Sequence, residues 1–105
     1  MKKVVILCHT GPGGKRRLAE EALRLAAGLT ATGRIRLDLV LTRSGIALLD
    51  PEMGGPAGTW ESMISPHTRV LVSAGTHPSP PPFVTVLPEK EIEKTSSSAD
   101  LVIGF

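Results

Sequence analysis

Tyrosine is absent from this chain, and one Trp and two Phe are its only aromatic residues among 105. With 41% of the residues hydrophobic, the core must therefore be built from Val, Leu, Ile and Ala. The shortage of aromatics also argues against nucleic acid as a partner, because bases stack on aromatic rings and none interleave with the basic residues here. A single Cys excludes an internal disulfide. No apolar run approaches the roughly 20 residues that a membrane-spanning helix needs. Met1-Lys2-Lys3 and the five apolar residues after it are too short for a signal peptide. These absences predict a cytoplasmic protein with no membrane partner. Carboxylate pairs suited to acid–base chemistry are missing too, as is a supported Ser/His/Asp set, so the residues leave open whether the chain is an enzyme.

What is present suits one small α/β domain over residues 1–105. Val4-Val5-Ile6-Leu7 is an unbroken apolar run, which fits a strand buried on both faces of a sheet. It leads through Cys8 and His9 into the turn Gly11-Pro12-Gly13-Gly14, and a helical pattern follows over 15–32. Leu18, Ala22, Leu25, Ala26 and Leu29 share one helix face, with Arg17, Glu20, Glu21 and Arg24 on the other. Gly33 supplies the stop. Further strands are predicted over 35–41, 69–74, 83–87 and 101–105, the first of them wetter at its entrance. Residues 51–58 read as a loop, and Pro88 sits well at the first turn of a helix running to about Ser98.

Charge is unevenly placed. Residues 1–50 hold nine Lys/Arg against four Asp/Glu, a net +5, and residues 51–105 hold three against six, a net −3. Opposite halves of this kind fit subunit packing.

The strand ending in a Gly-Pro turn, the Ala/Leu-rich first helix, Ser44-Gly45-Ile46 and the closing Ala99-Asp100-Leu101-Val102-Ile103-Gly104-Phe105 together resemble the DsrE-like family of small sulfur-relay proteins. The resemblance implies a compact three-layer α/β domain with a mostly parallel sheet of about five strands, and assembly into homo-oligomers. It also implies sulfur-transfer proteins as partners and a persulfide-carrying Cys just after the third long strand. Ser73 holds that place here, and a hydroxyl cannot carry transferable sulfane sulfur, which needs a thiolate. Only eight residues separate Ala74 from Phe83, where the family places a helix. A parallel return of about 17 Å is still within reach of eight residues in polyproline form, about 25 Å. Without that helix, one face of the sheet is expected to lack cover.

The candidate site residues gather at the carboxyl ends of the strands, where ligands of such sheets bind. Cys8 is the only thiol and hence the only available sulfur carrier; the alternative is a small buried core residue. His9 and His77 both follow strands and can face one crevice with Ser73 and Gly75. Cys8 and His77 could pair as nucleophile and base, whereas a zinc site that adds His9 is disfavoured because neighbouring strand residues such as Cys8 and His9 point to opposite faces. The spacing matches no metal signature, and no cofactor is implied. Gly11, Gly13, Gly14 and Lys15, in the turn Gly11–Arg16, lack the spacing of a phosphate loop, yet free N–H groups at a helix start with Lys15 and Arg16 beside them could hold a small anion or nucleotide. The alternative is a turn that needs its glycines for backbone angles. Three readings follow: a sulfur carrier through Cys8, a non-catalytic oligomer subunit, or a small-anion binder. Trp60 and Met63 share a face and suit packing, with an interface role as the alternative.

Overall fold

The computed structural model describes residues 1–55 and 59–105, and residues 56–58 of the expected 51–58 loop lie outside it. Five strands form one sheet, β1 (Lys2–Cys8), β2 (Ile35–Leu41), β3 (Thr68–Ser73), β4 (Val84–Leu87) and β5 (Leu101–Gly104). Their order across the sheet is β4-β3-β2-β1-β5, and every pair is parallel. The mostly parallel sheet expected from the sequence is thus parallel at all four pairs of neighbouring strands.

The three central strands carry consecutive apolar residues because both their faces are covered. On the front, Val4, Ile6, Leu37, Leu39, Val70 and Val72 pack against helix α1 (Leu18–Thr32) and the 3₁₀ turns that join β2 to β3. On the back, Val5, Val40 and Leu71 are sealed by Ile92 of helix α2 (Glu89–Ser97). The expected bare face therefore does not exist at β3, whose Val70, Leu71 and Val72 are all buried. The cover comes from α2, which links the two sheet edges, rather than from the β3–β4 connection. That connection does run without a helix, and residues 74–83 return the chain in parallel. Exposed apolar surface lies on the edge strands instead, at Val86, Leu101 and Val102.

Two local differences from the sequence reading have clear causes. The first helix begins at Leu18, not at residue 15, because Gly13 and Gly14 take φ of +85° and Arg17 caps the helix in a left-handed conformation. Its buried stripe is Ala19, Ala22, Leu23, Ala26 and Thr30, rotated from the expected face. Small Ala side chains let the backbone lie close to the sheet, and Leu25 and Leu29 move to the flank. There they line an apolar groove of about 420 Å³ with Phe105. Met63 is buried in the core, and Trp60 stacks on Phe83 with ring centroids 5.1 Å apart, so both serve packing. Among the described residues no helix is long and apolar enough to cross a membrane.

Candidate functional site

The carboxyl ends of β1, β2 and β3 meet the start of α2 in a crevice of about 380 Å³. His9, Thr42, Arg43, Ser73, Thr76 and Glu89 line it, with Leu41 and Ile46 as its apolar floor. Strand alternation decides this set. Val5, Leu7 and His9 face the back of the sheet, as do Leu71 and Ser73, whereas Cys8 faces the front with Val4 and Ile6.

His9 is fixed by two contacts. Its N–H donates to the Phe105 carbonyl at 2.9 Å, and its ring Nδ1 shares a 2.6 Å hydrogen bond with the Thr42 hydroxyl. Arg43 holds φ of 51°, a left-handed conformation that costs a residue bearing a Cβ roughly 1 kcal/mol. Thr76 closes the far wall by donating from its hydroxyl to the Ser73 carbonyl at 2.6 Å. Gly75, between them, takes φ of +82° and turns the chain away from β3. The crevice thus offers an imidazole, two Thr hydroxyls, a Ser hydroxyl and a guanidinium opposite one carboxylate. That set can hold a polar or anionic group by hydrogen bonds, and it contains no thiol.

Cys8 sits at the same edge of the sheet but on the other face, fully buried. Its Sγ lies 3.5 Å from the Thr10 carbonyl, toward which the thiol donates. Gly45 is packed against it so closely that a Cβ there would fall 2.2 Å from the Cys8 carbonyl oxygen and 3.5 Å from Sγ. Burial pushes the thiol's pKa up; the Thr10 backbone offsets part of this, and the charge of Glu20 adds to it. The protonated, unreactive form is favoured.

His77 is engaged elsewhere. The Ser79 N–H donates to Nδ1 at 3.1 Å, which leaves the ring proton on Nε2, and Nε2 donates to Asp50 at 2.9 Å. Both ring nitrogens are used, and Cys8 is a partner of neither. Gly11 packs against Ser44, whose carbonyl oxygen would lie 3.2 Å from an added Cβ. The Gly13 N–H donates to Glu20 Oε2 at 2.9 Å, so the glycine turn already holds an anion, supplied by the chain itself. That hydrogen bond, aided by Arg17, keeps the Glu20 carboxyl below its ordinary range, although burial acts in the opposite sense. Lys15 is exposed in the turn ahead of α1. Among the described residues no three His, Cys, Asp or Glu side chains come together as metal ligands would.

The structure brings His9 and Ser73 together and sets Cys8, His77 and the glycine turn apart from them. Thr42, Arg43, Thr76 and Glu89 were missed in the sequence. The available signal was position alone: each stands within a few residues of a strand's carboxyl end or at the start of α2.

No family model matches the sequence, and no curated relative does. Among solved structures, the crystal structure of the YchN protein from E. coli matches with a TM-score of 0.77. The match covers 100% of both chains at 23% sequence identity. A likeness at that identity is one of architecture: this chain shares with that protein an α/β fold built on a five-stranded parallel sheet.

Proposed function

We propose that this chain is a DsrE-like protein of intracellular sulfur transfer that acts as a non-carrying subunit of an oligomer. The observation that supports this reading is the burial of Cys8 on the sheet face opposite the crevice. A persulfide carrier must expose a thiolate to donor and acceptor in turn. Here the crevice presents Ser73 where the family resemblance calls for a thiol, and the one thiol is protonated beneath Gly45. The role left to the crevice is docking: its hydroxyls, His9 and Arg43 suit a polar or anionic group brought by a sulfur-transfer partner.

Intact-mass measurement after incubation with a sulfane-sulfur donor tests the proposal. The expected result is an unchanged mass, with Cys8 alkylated slowly in the native protein and rapidly in urea. A stable sulfur adduct that Cys8→Ser abolishes would restore the carrier reading and overturn this one.

A further inference from the structure

The opposite, amino-terminal edge of the sheet carries a second constellation. Lys3 on β1, Arg36 and Asp38 on β2, and Arg69 on β3 all face the back of the sheet. Lys3 is the register partner of Arg36, and Asp38 that of Arg69. With Pro66 and His67 they line a polar cavity of about 200 Å³.

Part of this cluster belongs to the fold. Arg69 grips Asp38 with both arms, Nε to Oδ1 at 2.9 Å and Nη2 to Oδ2 at 2.8 Å. Thr95 of α2 donates to the same carboxylate at 2.8 Å, and Lys3 Nζ stands 3.6 Å from it while donating to Thr95. Asp100 accepts the Lys3 backbone N–H at 2.8 Å and closes the β5 side. Asp38 is thereby satisfied twice over, and nothing in it calls for a third cation.

Arg36 is that third cation. It has no side-chain partner among the described residues, and neither does the His67 ring. Arg36 also stands beside Lys3 on the neighbouring strand, where like charges destabilise a sheet. Adjacent strands lie about 4.8 Å apart, so the free donors of Lys3, Arg36 and Arg69 surround a single small volume. Guanidinium groups in such an array recognise the oxygens of phosphate or sulfate with paired N–H donors. The cavity is smaller than the roughly 300 Å³ of pockets that enclose drug-sized ligands, and it suits one tetrahedral group.

We propose that the amino-terminal edge of the sheet is a binding site for a tetrahedral oxyanion, either a free phosphate or sulfate or the phosphoryl group of a small phosphomonoester. Arg36 and His67 serve the ligand, whereas Asp38 and Thr95 hold Arg69 and Lys3 in place. This site is separate from both the crevice and the glycine turn, and it does not depend on the sulfur-transfer reading.

Amide chemical shifts followed during titration with inorganic phosphate, at constant ionic strength, test the site. Saturable shifts are expected at Lys3, Arg36, His67 and Arg69, with sulfate moving the same signals. Arg36→Gln should weaken binding roughly tenfold, the size expected for losing charge-assisted hydrogen bonds, while the melting temperature stays within about 2 °C. His67→Gln should weaken it as well, which keeps the test decisive if the Arg36 variant folds poorly. O-phosphoserine distinguishes the sources: tighter binding than phosphate identifies an esterified group, and weaker binding a free ion. Shifts that fail to saturate, that centre on residues 11–15, or that survive unchanged in both variants would overturn the proposal.

Discussion

Asp38→Asn preserves the size of the side chain and removes its charge, leaving Arg69 and Lys3 directed at a group that cannot neutralise them. Asp38 is 4% exposed, and the loss of one partner from a buried ion pair typically costs about 3–5 kcal/mol. The Arg69 and Lys3 side chains keep 46% and 24% of their exposure, so water takes up part of their charge. A loss of about 2 kcal/mol is therefore expected, between the exposed and buried limits. In urea, where small proteins lose about 1–3 kcal/mol per molar, the unfolding midpoint should fall by about 1 M. Acidity gives a second signature. Burial alone would raise the Asp38 pKa, but hydrogen bonds from Arg69 and Thr95 and the charges of Arg69 and Lys3 hold it below the ordinary carboxylate range. The stabilisation is then complete above the unfolded value, near 4, and disappears as pH falls through the lower folded value. Wild type and variant should converge in acid. A neutral-pH midpoint change under about 0.3 M, with m-values unaltered, would refute the magnitude argued here. So would a difference that persists undiminished in acid.

Two further outcomes can be checked on the same protein. Gly45→Ala should destabilise by about 1–3 kcal/mol, because its Cβ would drive against the Cys8 carbonyl that accepts the Thr42 N–H at 3.0 Å. The same change should speed alkylation of Cys8, and an unaltered alkylation rate would show that Gly45 is not its cover. Self-association is expected through a second copy on the flank where Phe105 adjoins Leu25 and Leu29 and Leu101 stands exposed on β5, since edge strand β5 leaves half its backbone groups unpaired. Light scattering at micromolar concentration should give a multiple of 11.1 kDa, and a monomer mass would refute it.

The strands were legible because burial on both faces writes an unbroken apolar run, as at Val70-Leu71-Val72. Pro88 marked the start of α2 within one residue for an equally local reason. The opposite orientations of Cys8 and His9 followed from alternation alone. What the sequence hid depends on distant partners. Asp38 looked like the damp entrance of a strand, yet it is buried because Lys3, Arg69 and Thr95 converge on it from 31 to 57 residues away. Glu20 looked like a solvated helix face, while its carboxylate reaches back to Gly13 and makes the turn self-sufficient. The crevice could be located by topology, but its lining could not, since the strand order that brings Thr42 between His9 and Ser73 is a property of pairing.

The helix-free return between β3 and β4 has a consequence for the order in which the chain can become safe. A ribosome delivers β1, β2 and β3 well before α2, and the front helix α1 is already in hand to cover one side of them. The back side, with Val5, Val40 and Leu71, has no cover until Ile92 arrives. Throughout that interval the nascent sheet presents a bare aliphatic face, the surface that chaperones bind and that aggregates grow from. A chain halted anywhere before residue 92 would carry that exposure permanently, so the nine residues of α2 decide whether the preceding strands become a soluble domain.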